Sequence, residues 1–330
     1  MFSNAKKGLA YLIFYMKKIL LLALGGTIAC VNTRKGLIPK LKASDLLASI
    51  PDPRGVIVDS IDLLKRTVVF PQDWVLLGRK IFAEYYKYDG FVVTLGTDTL
   101  AYVSSALSLM LQNLSKPIVL TGAMKAIKSP QSDGRRNLRD AIKIAAQGHI
   151  GKVLVVFNGF VFDGSAVSKV RTDVEDAFES INSSPLGRLV LNRVHWEKKS
   201  VRRKGKLRLQ TSLDNRVITI KLTPQINGDF LKPFASYHGI LIESYGDGNV
   251  PSNLVPAISD LTKKTIVVLA SQCPYGRVRH RYEGGAALIR NGAFSSCNMT
   301  KEMACVKLMW ALGQSKDRGI IRRIWNSKSC

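Results

Sequence analysis

The chain has 330 residues, 46% hydrophobic and 22% charged, a globular mixture that excludes a disordered chain, because its apolar surface offsets conformational entropy. This length suits one large domain or two smaller ones. The net charge is +25, from 49 Lys+Arg against 24 Asp+Glu; an excess of this size argues for nucleic acid or an anionic membrane where it is concentrated, but here it is mostly dispersed, as on solvated faces.

In chain order, residues 1–15 read as an extension ahead of a fold beginning at Met16. Their apolar stretch imitates a signal peptide, but no small-residue cleavage site follows, and neither of the first two apolar runs is long enough to span a membrane. Residues 19–24 are apolar throughout, as expected of a parallel strand buried on both faces, and they break into Gly25-Gly26-Thr27-Ile28-Ala29. Residues 43–50 suit a short helix, 56–64 an extended segment, and the spacing of Trp74, Leu77, Ile81 and Tyr85 a helix over 74–86. Residues 91–95 form a second apolar run that ends in Gly96-Thr97-Asp98-Thr99. A helix over about 100–114 should follow, closed by Lys116-Pro117, then a strand at 118–121. Ser132-Asp133-Gly134 opens a helix running to Gln147, and 152–157 read as a strand followed by a loop carrying Lys169. This rhythm predicts a parallel sheet with right-handed crossovers.

Residues 188–215 break the rhythm. They include the dense basic run Lys198-Lys199-Ser200-Val201-Arg202-Arg203-Lys204-Gly205-Lys206, which lacks the interleaved aromatics of a single-strand nucleic-acid surface. A second alternation follows, with strands at 239–243 and 265–270 and helices at 253–261 and 300–312. The expected organisation is α/β: an extension (1–15), a larger N-terminal parallel-sheet, flavodoxin-like domain (16–190), a basic linker (191–211) and a smaller C-terminal α/β domain (212–330). Five cysteines without a Cys-x-x-Cys pair and four scattered histidines argue against a zinc site and for reduced thiols in a cytosol.

Ligands of open α/β sheets bind outside the carboxyl ends of the strands. The two threonine motifs therefore belong in one crevice. A threonine hydroxyl is a weak nucleophile until a neighbour takes its proton. Glycine before it lets the backbone approach a substrate and turns amide N–H groups inward, where they can hold an oxyanion. Thr27 is thus a nucleophile candidate and Gly26 a backbone contact to substrate. Asp98 suits a substrate ammonium, and a partly desolvated lysine, Lys169, could take the proton of Thr97. Taken singly, these motifs also read as a plain turn, a helix N-cap with Asp98 or Thr99, and a surface lysine.

In combination the motifs are more specific. Leu24-Gly25-Gly26-Thr27-Ile28-Ala29, Gly96-Thr97-Asp98-Thr99-Leu100-Ala101-Tyr102, Lys116-Pro117-Ile118-Val119-Leu120-Thr121-Gly122, Ser168-Lys169-Val170-Arg171-Thr172, Asp176-Ala177-Phe178-Glu179-Ser180-Ile181-Asn182, Ile242-Glu243-Ser244-Tyr245-Gly246-Asp247-Gly248-Asn249-Val250-Pro251 and Lys307-Leu308-Met309-Trp310-Ala311-Leu312-Gly313-Gln314 occur in order. The chain resembles the bacterial-type L-asparaginases, most closely the cytoplasmic type I branch of Gram-positive bacteria, over about residues 16–326. The resemblance implies a two-domain homodimer or homotetramer that hydrolyses L-asparagine without metal or organic cofactor. It implies Thr27 as nucleophile, Thr97 as second catalytic threonine, Lys169 as its activator and Asp98 as the grip on the α-amino group. Asn249 would complete the site of a neighbouring subunit.

The chain departs from the pattern near its first domain's pocket. Counting back from Trp74, Arg66 stands where relatives have a serine that binds the substrate carboxylate, followed by Thr67. Arginine pairs well with carboxylates, but it also fills space and repels an ammonium. Leu37 aligns with a tyrosine of many members. Two rivals follow: a glutaminase or transfer-RNA-amidation enzyme, in which the charge would serve nucleic acid, and a non-catalytic binding member.

Overall fold

The computed structural model describes residues 16–191, 193–197 and 205–327. Residues 1–15 and most of the 198–206 basic run lie outside the described residues.

Strand β1 (Lys17–Gly25) is buried from Ile19 to Gly25. It leads into a small hairpin, β2 (Cys30–Thr33) with β3 (Gly36–Pro39). In the main sheet β1 runs parallel to β4 (Val56–Arg66) on one side and β5 (Gly90–Thr94) on the other. The short β6 (Leu111–Gln112) lies outside this sheet, whose parallel pairing continues through β7 (Ile118–Thr121) to β8 (Val153–Phe157). Three antiparallel strands extend this edge: β9 (Phe160–Asp163), β12 (Gly187–Val190) and β13 (Arg193–Trp196).

Side chains alternate across β1, so each face has its own core. Leu20, Leu22 and Leu24 pack with α2 (Pro71–Glu84) and α3 (Thr97–Met110). Ile19, Leu21 and Ala23 pack with α1 (Ala43–Leu47) and α4 (Gly134–Gln147). Taking the parallel strands alone, their chain order 2-1-3-4-5 is the flavodoxin-like doubly wound order, which places its switch point between β1 and β5.

The C-terminal unit is a four-stranded parallel sheet, β15 (Val217–Lys221), β16 (Gly239–Ser244), β17 (Ile266–Ser271) and β18 (Phe294–Ser295). Helices α5 (Gly228–Leu231), α6 (Val255–Lys264) and α7 (Glu283–Arg290) cover one face; α8 (Lys301–Gln314) and α9 (Arg318–Asn326) cover the other. Val306, Met309 and Trp310 of α8 also join the core around α3, so the two units share packed surface.

The architecture is the α/β one expected, with informative differences. Lys169 is on a short strand, β10 (Val167–Lys169), paired antiparallel with β11 (Phe178–Ser180), and not in a loop. The stretch read as a linker contributes β13 to the main sheet, and β14 (Arg208–Leu209) pairs with β6. Arg193-Val194-His195-Trp196 alternates polar and apolar, with Val194 and Trp196 against the core, but four residues and two are too few for the alternation to stand out in the sequence. Cys30, Cys273 and Cys305 are free. Among the described residues no helix is long and apolar enough to cross a membrane.

Candidate active site

The crevice floor is built from backbone. At the carboxyl end of β1, Gly25 and Gly26 have φ of +99° and +76°, which side-chain-bearing residues rarely adopt. There is also no room for a side chain: a Cβ on Gly26 would lie 2.2 Å from Gly96 N, and one on Gly96 would lie 2.1 Å from Thr67 O. Two turns from distant parts of the chain are thus pressed together, and Thr27 and Thr97 each follow the glycine at the contact. Gly26 N donates to Arg66 O at 2.8 Å. Thr27 opens a single 3₁₀ turn, Thr27–Ala29, and is half-buried. Beneath it the buried Cys30 thiol donates to Gly26 O at 3.4 Å; burial pushes that thiol's pKa up, keeping it protonated and inert.

Thr97 and Asp98 lie in the first turn of α3, not in a loop, so both side chains reach the crevice. The N-cap is Gly96, which has no side chain to cap the helix, so the capping reading of Asp98 and Thr99 does not hold. The N–H groups and positive dipole end of α3 therefore face the crevice. Lys169 Nζ donates to Thr97 Oγ1 at 2.8 Å and to Asp98 Oδ1 at 2.7 Å. The Lys169 side chain is 18% exposed and that of Asp98 76% exposed, so the lysine approaches from inside and the carboxylate stays open to an incoming ligand.

The remaining sequence candidates are placed differently. Arg66 pairs with Gly25 in the β1–β4 register, but its guanidinium donates to the buried Asp73 at 3.0 Å. Asp73 also accepts from Phe70 N at 2.9 Å, which fixes the start of α2. Arg66 thus lends the crevice its backbone, with its side chain held by Asp73. Thr67 is exposed, and its carbonyl packs on Gly96. Leu37 is exposed on the β2–β3 hairpin beyond Thr27. Asn249 lies in the C-terminal unit, where its backbone pairs with Tyr245 after β16.

A supporting network escaped the sequence reading. Asp133 accepts from Met124 N and Lys125 N, at 2.9 and 3.0 Å. Asn137 donates to Gly122 O at 3.1 Å and accepts from Asn158 N at 3.0 Å. These bonds pin the loops after β7 and β8, and a Cβ on Gly122 would lie 3.4 Å from Thr97 Cγ2. The only sequence signal was Ser132-Asp133-Gly134, which also marks an ordinary helix start. Among the described residues no group of three or more His, Cys, Asp or Glu is placed to hold a metal ion.

Residues 18–202 match the asparaginase N-terminal family and residues 216–325 the glutaminase/asparaginase C-terminal domain. An L-asparaginase of Thermococcus kodakarensis is 39% identical over 316 residues, covering 93% of this chain and 96% of that protein. L-asparaginase 1 of Escherichia coli is 32% identical, covering 93% and 95%. One component of the glutamyl-tRNA(Gln) amidotransferase of Archaeoglobus fulgidus is 33% identical, covering 89% of this chain and 74% of that protein. The solved structure of the thermostable T. kodakarensis L-asparaginase superposes with a TM-score of 0.89 at 38% identity, covering 93% and 96%. With both halves matched and the structural likeness spanning the chain, the protein belongs to the bacterial-type asparaginase family and is an enzyme of the amidohydrolase class.

Proposed function

We propose that this enzyme hydrolyses L-asparagine to L-aspartate and ammonia with Thr27 as the nucleophile. Thr27 Oγ attacks the side-chain amide carbon, backbone N–H groups of the turn after Gly26 or of Thr97 hold the oxyanion, and the Thr27 proton passes to the leaving nitrogen, which departs as ammonia. Water then resolves the β-aspartyl ester, its proton taken through Thr97 and Lys169. Asp98 binds the α-ammonium with the part of its carboxylate that Lys169 leaves open. The α-carboxylate is met by Thr67 and by backbone N–H groups of the turn that Gly26 opens, beside the Arg66–Asp73 ion pair. Asn249 reaches the site of a partner subunit, in a cytoplasmic homodimer or homotetramer without cofactor.

The observation that carries this reading is the Lys169 amine 2.8 Å from Thr97 Oγ1 and 2.7 Å from Asp98, beside the Gly26–Gly96 contact. Ammonia release should be measured with asparagine and glutamine in parallel, with Thr27→Ala as the blank. Release from asparagine that the substitution abolishes supports the reading; no release by folded wild-type protein, or release that survives Thr27→Ala, rejects it. A second reading rests on the likeness to the A. fulgidus amidotransferase component: action on an amide in transfer-RNA amidation. It predicts RNA binding whose affinity falls steeply with salt.

A further inference from the structure

Lys169 is held by little of its own sheet. Strand β10 is three residues long, and among the described residues its strand partner is β11 alone, itself three residues. Isolated two-stranded ribbons are marginal, so something else must fix this one. The alternation along β10 divides its side chains: Val167 is fully buried in the core around α3, Lys169 reaches Thr97, and Ser168 points the other way. There Ser168 Oγ donates to Glu302 Oε1 at 2.7 Å, and both residues are 5% exposed.

Glu302 belongs to the C-terminal unit, in the first turn of α8. That turn is rigid: Thr300 Oγ1 caps it by accepting from Met303 N at 3.0 Å, and α8 packs on α3. The other carboxylate oxygen of Glu302 is buried, with no hydrogen-bond partner among the described residues. A buried carboxylate half-satisfied is costly, and the bond it does make goes to the residue next to Lys169. A second tie runs from the other end of the ribbon: Asn182 Nδ2 donates to Gly276 O and Asn298 O, and its Oδ1 accepts from Gly276 N. A cavity of about 220 Å³ lined by Lys169, Gln272, Cys273, Thr300 and Glu302 lies beside the strand, leaving space into which an untied Lys169 can withdraw.

We propose that Glu302 is a positioning residue for the reaction: through Ser168 it holds β10 so that the Lys169 amine stays on Thr97. This rests on the assignment of Thr97 and Lys169 above. A misplacement near 1 Å can cost about 10²-fold in rate, so Ser168→Ala and Glu302→Ala should each lower kcat for asparagine by about 10- to 100-fold, with KM changed less than about threefold. The double variant should be no slower than the slower single one, because both remove the same bond. Glu302→Gln, whose amide oxygen still accepts from Ser168, should recover kcat to within about threefold of wild type.

The assay is steady-state ammonia release well below each variant's melting temperature, with Lys169→Met in the same series. If wild type is inactive, or Lys169→Met is as fast as wild type, the assignment of the site fails. If Lys169→Met is inactive while Ser168→Ala and Glu302→Ala keep wild-type kcat, the positioning role fails. It also fails if the two alanine effects multiply in the double variant, or if Glu302→Gln is as slow as Glu302→Ala.

Discussion

Thr97 and Asp98 adjoin in sequence, follow an apolar run and sit in the first turn of one helix, so local pattern was enough to find them. Gly26 and Gly96 are legible for the same reason, as the residues that end two buried strands. The requirement at Gly26 is stricter than the sequence suggests, because its Cβ would strike Gly96 N at 2.2 Å as well as strain a φ of +76°. Gly26→Ala should therefore destabilise the protein by about 2–4 kcal/mol and push the two turns apart. Thermal unfolding together with ammonia release checks this; a variant with both unchanged would show that the turns are not in contact. Lys169 is another matter. Nothing around it marks it apart from a surface lysine, and only the combination of motifs singled it out. On the proposed role of Lys169 at its 2.8 Å bond to Thr97, Lys169→Met should lower kcat for ammonia release by about 10²–10⁴-fold with an unchanged melting temperature; wild-type kcat in that variant would reject the role.

Elements buried on both faces announce themselves, which is why β1, β5, β7 and β8 were found close to their observed limits. The antiparallel strands β12 and β13 were missed because each is only four residues long, with its partner set by topology. The ribbon that carries Lys169 was missed because three residues show no period. Between elements the least legible feature is the brace at the start of α4, where Asn137 joins the carbonyl of Gly122 to the amide of Asn158. Asn137 is fully buried, so Asn137→Ala would strand both groups. The expected cost is about 2–3 kcal/mol, with a fall in kcat as the Gly122 loop loosens against Thr97. Asn137→Asp should lose at least as much stability as alanine, because a buried carboxylate there would face the Gly122 carbonyl and the Asp133 carboxylate, to which Asn137 Nδ2 now donates at 3.1 Å. Equal melting temperatures for wild type and Asn137→Ala would show that water replaces the bridge.

A chain of net charge +25 repels itself when folded, which puts weight on the few carboxylates that join its parts. Asp214 stands where the chain enters the C-terminal unit. Its backbone N–H donates to Met309 O, and its side chain accepts from His238 Nδ1 and from Lys316 Nζ, each at 2.6 Å, and from Arg216 N at 3.0 Å. It thereby joins the start of β16 to the end of α8. Its turn to Arg216 N is an ordinary local one, and no local pattern reveals its side-chain partners His238 and Lys316, 24 and 102 residues away. Burial pushes its carboxyl up, but the bonds from Lys316, His238 and Arg216 N outweigh that and hold it at about 2, against an ordinary 3.8. The unfolded chain thus binds the proton more readily than the folded one. The stability from this group is complete above the unfolded value and is lost as pH falls from about 4 toward 2. It amounts to about 1–2 kcal/mol. Asp214→Asn should accordingly melt earlier than wild type at pH 7, and the gap should narrow as both proteins are acidified through that window. Other carboxylates titrate alike in the two proteins, so the difference isolates Asp214. A gap that stays constant down to pH 2 would assign the effect to lost packing, and no gap at pH 7 would show that the network contributes nothing to the stability of the C-terminal unit.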